Sequence, residues 1–226
     1  MDKLTLKKEW RAWLLIILTI IISIWAYPQL PAIVASHWDF QGQVNGWTSR
    51  TVHSILFPSL LAIIYFGFVF MPYIDPKKER YAEFANTYRL LRDAIIFLLF
   101  GVFVAATFAN LGYNVNIGVV AATLIGFLFI TIGNYFGKLK RNWFVGIRTP
   151  WSLSSENVWN KTHRFGGRVF IIWGALLILT PWLPYKGAMI ILFSGLAMVV
   201  VGVYLYSYLA FRAEKKIEKE NKKIGE

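Results

Sequence analysis

The 226-residue chain contains no cysteine, which excludes disulfides, thiolate zinc sites, cysteine nucleophiles and cysteine-ligated iron–sulfur clusters. Charge is scarce and unequal in sign: 16% of residues are charged, with 24 Lys and Arg against 12 Asp and Glu. Apolar residues dominate instead: 57% of residues are hydrophobic and the mean hydropathy is +0.50. The apolar residues arrive in blocks of about 15 to 23, and a bilayer core about 30 Å thick needs about 20 helical residues. A soluble enzyme is excluded, and an all-α polytopic membrane protein is expected. The net charge of +12 does not point to direct nucleic-acid binding, because the basic residues sit at the ends of apolar blocks. Membrane lipid, anionic in kind, is the simpler partner.

Six spans are predicted, at residues 10–27, 54–74, 94–111, 117–137, 169–183 and 189–211. The fifth is short and reaches full length only if its helix begins near Phe165 and passes through Gly166 and Gly167. The first resembles a signal peptide, but the stretch from Ala26 to Pro31 offers no small-x-small cleavage site, so it reads as a retained helix. Of the 24 Lys and Arg, 22 fall on alternate segments: the N-terminal end, the second and fourth connections and the C-terminal tail. By the positive-inside rule both termini are expected in the cytoplasm. Small residues at four-residue spacing, Gly101, Ala105 and Ala109 on the third span and Gly118, Ala122 and Gly126 on the fourth, predict a close hairpin in which the two small faces meet.

The span interiors lack ionisable residues, which argues against ion-coupled transport, and hold no continuous polar lining for a channel. His-Glu-x-x-His and Gly-x-Ser-x-Gly motifs are absent, so intramembrane proteolysis is not supported. No cofactor is implied. His37, Asp39 and His53 form a weak candidate metal set, requiring the first loop to bring His53 back beside His37.

That loop, residues 28–53, is expected outside the cell. Pro28 and Pro31 stop the first helix, and Gln41-Gly42 and Asn45-Gly46 supply positive-φ turn positions. A compact, turn-rich lid is predicted, with Trp38, Phe40 and Trp47 at headgroup level. Its candidate binding residues are His37, Trp38, Asp39 and Trp47, read either as an aromatic belt or as a docking surface. On the other side, Asp75-Pro76 reads as an N-cap with proline at the first helical position. Tyr81, Phe84, Ala85, Tyr88 and Leu91 then recur at three and four residues, the pattern of a helix lying on the inner leaflet beside Lys77, Lys78, Arg80 and Arg89.

The most informative stretch is Gly146-Ile147-Arg148-Thr149-Pro150-Trp151-Ser152-Leu153-Ser154-Ser155-Glu156-Asn157-Val158-Trp159-Asn160-Lys161-Thr162-His163-Arg164. Thr149-Pro150 breaks any preceding helix, and the serines offer a new N-cap with Glu156 in the first turn. The new helix is expected to carry Trp151, Val158, Trp159, Thr162 and Phe165 on one face and Glu156, Asn160, His163 and Arg164 towards the other. Arg148, Arg164 and Arg168 suit a phosphate or a pairing with Glu156. Arg148, Thr149, Pro150, Trp151, Glu156, Trp159, His163 and Arg164 are the candidate inner binding residues. No complete catalytic set is visible. The competing reading is a membrane enzyme or lipid-handling protein, with the arginines on a lipid phosphate and His163 or Glu156 as acid or base.

This stretch, with Gly167 following, resembles the SdpI family of bacterial membrane proteins. Independently, Pro28-x-Leu30-Pro31, His37-Trp38 and the Gly42 to Trp47 turn resemble the domain of unknown function that commonly precedes the SdpI module. The resemblance implies a plasma-membrane immunity protein that protects its bearer from a secreted, membrane-active peptide toxin. It further implies a receptor role in which the toxin-occupied protein captures a cytoplasmic transcriptional repressor. Two units are expected, residues 1–93 carrying the outer loop and 94–226 carrying the four-span SdpI-like part and charged tail.

Overall fold

The computed structural model describes residues 6–39 and 42–224; Phe40 and Gln41, assigned to the outer lid from sequence, lie outside the described residues. Among the described residues six helical segments are long and apolar enough to cross a membrane: Glu9–Ala26, Arg50–Ile74, Lys78–Asn110, Ile117–Phe136, Glu156–Trp182 and Tyr185–Ile224. In chain order the helical elements are α1 (Leu6–Ala26), α2 (Arg50–Ile74), a 3-10 turn at Lys78–Phe84, α3 (Ala85–Asn110), α4 (Ile117–Phe136), a short α5 (Pro150–Ser154) between two of these segments, α6 (Glu156–Leu179), α7 (Tyr185–Ala197) and α8 (Val203–Ile224). Helix starts follow local chemistry: Ser49, Asn116, Thr149 and Ser155 each accept a hydrogen bond from the backbone N–H three residues on, which satisfies an otherwise orphaned donor. The large apolar side chains that remain exposed, Ile24, Ile63 and Phe193 among them, are the surface a bilayer would cover.

Three expectations are corrected. The chain is not purely helical, because the lid is a β-hairpin, β1 (Ile33–Trp38) paired antiparallel with β2 (Val44–Ser49). Gly42 does take a positive φ of 78°, but Gly46 does not serve as a turn residue. It lies in β2 opposite His37, where a Cβ would stand 2.8 Å from the His37 Cβ, so the absent side chain permits the strand approach at an irregular step of the ladder.

Second, the leaflet helix expected after Asp75 is absent. Asp75 ends α2, and residues 78–84 form a 3-10 turn that runs into α3. Tyr81, Phe84, Tyr88 and Leu91 are buried in one cluster with Phe136, Leu139 and Trp159. The three- and four-residue spacing was a core pattern, which periodicity alone cannot separate from a membrane-surface one.

Third, the closest backbone approach joins α4 to α6 rather than α3 to α4. A Cβ on Gly133 would fall 2.5 Å from the Gly167 carbonyl oxygen, and one on Gly126 2.6 Å from that of Gly174. Both pairs of residue numbers total 300, so they lie at matching depth in one antiparallel register, two turns apart. α3 and α4 do pack, but Gly101 faces Leu124 and Gly126 turns to α6. Glycine on two faces of α4 made either neighbour plausible; the glycines of α6 decide between them.

Candidate functional site

Two ends of the bundle hold the residues singled out above. At one end, the hairpin is tied to the helices below it. Asn110, at the end of α3, accepts from the Ala35 backbone N–H (2.7 Å) and donates to the Ala35 carbonyl (3.0 Å), pairing backbone groups of β1 that the hairpin leaves over. Arg50 donates to the Leu30 carbonyl (3.2 Å) and lies 5.0 Å from the Tyr27 ring. Ala26, Leu30 and Val34 form a small core beneath, against Leu111.

On this support the four outer candidates stand together. His37 Nδ1 is 2.5 Å from Asn45 Oδ1 across the strands, and Asp39 closes the tip by accepting from the Gln43 N–H (2.9 Å). Trp38 is half-buried, whereas Trp47 is 64% exposed and Ile33 58%, a large apolar presentation for two short strands. His53 does not join them. It begins α2, is buried, places Nε2 3.0 Å from Thr107 Oγ1 and stacks on Phe103. Among the described residues no group of three metal-ligating side chains converges, so the weak metal set of His37, Asp39 and His53 is not assembled.

The opposite end gathers the 3-10 turn, the α4–α5 connection and the start of α6. The connection has no regular structure, and buried Asn142 organises it by accepting from the Phe144 and Val145 N–H groups (2.9 and 2.7 Å) and donating to the Lys140 and Val145 carbonyls (2.9 Å each). Asp75 reaches across to accept from Tyr81 Oη (2.8 Å) and the Trp143 N–H (2.9 Å). Basic residues crowd here, and burial together with nearby Arg141 and Arg80 lowers the pKa of Lys77.

The inner candidates turn out to build this end. Thr149 and Ser152 form a capping box at α5, with Pro150 at the first helical position, and Thr149 Oγ1 lies 2.5 Å from Ser207 Oγ of α8. Trp151 packs on Tyr204 and Tyr208 of α8 at 4.9 and 5.0 Å. Glu156 accepts two bonds from Arg80 (2.5 and 3.1 Å) and is 3.7 Å from Arg141, which ties α6 to the 3-10 turn. Trp159 is fully buried and donates from Nε1 to the Leu139 carbonyl (2.8 Å). Arg148 donates to the Trp143 carbonyl (2.7 Å), and Arg164 to the Asn160 carbonyl in its own helix (3.4 Å). Both arginine side chains are exposed and neither engages Glu156, so the expected arginine–Glu156 pairing is made by Arg80 and Arg141 instead.

His163 corrects the expected helix faces. It is fully buried on the same side as Trp159, and the rings stack 4.0 Å apart. Nε2 accepts from the Ile147 N–H (2.9 Å) and Nδ1 lies 2.9 Å from the Trp159 carbonyl. A ring nitrogen that accepts from a backbone N–H leaves the proton on the other one, so His163 is a neutral Nδ1–H tautomer with both positions used. It has no free position for acid–base work, and Glu156 is held by Arg80. Gly146 sits against this ring with φ 117°, and a Cβ there would collide with His163 Nε2. Gly146→Ala is therefore expected to destabilise the fold by about 1–3 kcal/mol through backbone strain and overpacking. Thermal unfolding of the purified variant checks it; an unchanged midpoint would refute the assigned packing.

Sequence reasoning missed two residues. Asn110 is the polar anchor of the hairpin. Arg92, near the start of α3, is buried against Glu9 at the start of α1, with Asp93 Oδ1 at 2.8 Å and the Tyr65 ring at 4.9 Å. The available signal was one arginine and one carboxylate at the entrances of two spans that begin on the same side.

Among the described residues, six membrane-length helices with their loops gathered at two ends define a multi-pass membrane protein. Residues 138–207, which run from Lys138 in the connection through α5, α6 and α7 to the start of α8, match the SdpI/YfhL protein family, and residues 14–62, which contain the hairpin, match the domain of unknown function DUF1648. Over 212 residues the chain is 24% identical to "Immunity protein SdpI" of Bacillus subtilis (strain 168), a match covering 94% of this chain and 98% of that protein. No solved structure matches. The two matches fall in one chain in the order that the two sequence motifs implied.

Proposed function

We propose that this chain is a membrane immunity protein that protects its bearer against a secreted, membrane-active peptide toxin. The observation that carries the reading is the end-to-end similarity to an immunity protein, which spans both the hairpin and the basic connection. Both termini lie in the cytoplasm, with the hairpin outside, because 22 of the 24 Lys and Arg fall on alternate segments. The hairpin meets the toxin through exposed Trp47, supported by His37, Trp38 and Asp39. The basic connection is a stable cytoplasmic platform, where exposed Arg148 and Arg164 are the groups free to meet a partner. The two units, 1–93 and 94–226, meet inside α3, which runs unbroken from the buried cluster at Tyr88 and Leu91 to the hairpin anchor at Asn110.

That helix offers a physical route from toxin to cytoplasm. A ligand biases the far end only by binding two states of the protein with different affinity. Capture of a cytoplasmic repressor by the toxin-bound form is the corresponding second activity. A lipid-handling enzyme is less well supported, because His163 and Glu156 are both engaged.

Binding of the toxin peptide to the protein in lipid nanodiscs tests the hairpin assignment. Trp47→Ala is expected to weaken it by about tenfold or more, as a central aromatic anchor does, while Ile190→Ala on α7 leaves it unchanged. Equal binding by the Trp47 variant would overturn the assignment. The absence of native cysteine makes the orientation testable as well: Thr48→Cys is expected to react with an impermeant maleimide on intact cells and Lys161→Cys only after lysis, and the reverse pattern would refute it.

A further inference from the structure

A cavity of about 850 Å³ opens at the basic end, between the last turns of α2, the start of α3 and the end of α4. Its walls are apolar where they follow the helices, with Phe68, Val69 and Pro72 on α2, Leu90 on α3 and Tyr135 on α4. Its cations are Arg89, Arg92, Lys138 and Lys140, and they are not equivalent. Arg92 is neutralised by Glu9 and Asp93. Lys140 lies 3.9 Å from Glu83, which also pairs with Arg80 at 3.3 Å. Arg89 donates only to the neutral Asn86 Oδ1 (2.6 Å), and Lys138 stands 4.3 Å from the Tyr135 ring centre. Among the described residues neither Arg89 nor Lys138 forms an ion pair, whereas the lining carboxylates Glu9 and Glu83 are paired with Arg92 and with Arg80 and Lys140. Both are available to a phosphate: an arginine fork matches its oxygens, and a lysine supplies a mobile point charge.

Volume and position select among phosphates. The cavity is far larger than a bare anion needs and falls in the range of organic ligands. From Tyr73 of the lining, Phe70, Phe66 and Ile63 continue along α2 at helical spacing as exposed apolar residues, a surface along which acyl chains can lie. A basic rim over an apolar wall at a membrane boundary is complementary to an amphiphile with a negative head. We infer that this cavity is a seat for one anionic phospholipid, its phosphate between Arg89 and Lys138 and its chains running along Phe68, Val69 and Leu90. Arg148, Arg164 and Arg168, the set suggested by sequence, do not line this cavity, although Arg164 lies against Gly137 at its edge, and the seat does not depend on the immunity reading.

Native mass spectrometry of the full chain in detergent, after exchange with phosphatidylglycerol or phosphatidylcholine, tests the inference. The wild type is expected to retain one phosphatidylglycerol in preference to phosphatidylcholine. Retention is expected to fall about tenfold in Arg89→Ala/Lys138→Ala, since two charge-assisted contacts are lost, and to persist in Arg164→Ala/Arg168→Ala. Ala82→Trp fills the cavity while leaving both cations in place, and it too is expected to lose the lipid; helical circular dichroism confirms that each variant is folded. The seat is refuted by undiminished retention in folded Arg89→Ala/Lys138→Ala, by equal loss in the Arg164/Arg168 control, by equal retention of phosphatidylcholine, or by displacement with millimolar inorganic phosphate, which would make the ligand a free anion.

Discussion

Leucine at Gly133 is expected to destabilise the bundle by about 3 kcal/mol or more, the upper end of what overpacking costs. A Cβ at this position would lie 2.5 Å from the Gly167 carbonyl oxygen and 2.9 Å from the Ile171 backbone nitrogen. Backbone cannot move aside as the end of a flexible side chain can, so α4 and α6 must separate. Separation would also forfeit the second contact two turns away, at Gly126 and Gly174. In lipid the dispersion contacts that close packing permits are the main attraction between helices, so a wider gap is not offset by a hydrophobic gain. Titration of the folded protein with dodecyl sulfate, followed by circular dichroism, measures the shift. Gly67→Leu is the control, since Gly67 has open space where its side chain would project. Equal midpoints for the two variants would mean that α4 and α6 are not in this register.

Arg92→Ala is expected to cost about 3–5 kcal/mol, the effect of removing one partner from a buried ion pair. The Arg92 side chain is 3% exposed and that of Glu9 6%, so the variant would leave a carboxylate with neither water nor a cation. Asp93 is 16% exposed and suffers less. The double variant Glu9→Leu/Arg92→Met removes both charges and keeps the volume, and it is expected to recover most of the loss, because a buried pair is close to neutral against a well-packed apolar replacement. The same detergent titration measures all three proteins. A single variant no worse than the double would contradict the pairing, and with it the docking of α1 on α3 at the basic end.

The sequence revealed what hydropathy and capping control. The spans, the stop before Pro28, the Thr149-Pro150 break and the Ser155 cap with Glu156 in the first turn follow from length and local hydrogen bonding, and they recur in the structure. What depends on a partner elsewhere in the chain was less visible. Six-residue strands made of Ile-Val-Ala-Ser-His-Trp and Val-Asn-Gly-Trp-Thr-Ser do not alternate cleanly between apolar and polar, so the turn signals suggested a lid without showing its ladder. Tyr81, Tyr88 and Trp159 have the spacing of a surface helix and the burial of a core. His163 looked like a reactive group because of its type, yet two backbone contacts consume it. These differences change how the stretch from Gly146 to Arg164 is understood. Much of its conspicuous chemistry at Thr149, Trp151, Glu156, Trp159 and His163 holds α5, α6, α8 and the 3-10 turn together. Loss of protection in a Trp159→Ala variant would accordingly report a damaged core, whereas Trp47 can be changed without touching one.

The most direct measurement is survival of a sensitive bacterium that lacks its own immunity gene, expressing either the wild-type chain or Trp47→Ala and challenged with the secreted, membrane-active peptide toxin that the proposed function requires. The proposed immunity function predicts that the wild-type chain protects and that the Trp47 variant, present in the membrane at the same level, protects far less. Killing of cells that carry the wild-type chain in their membrane, at the same peptide dose that kills cells without it, would contradict the immunity function.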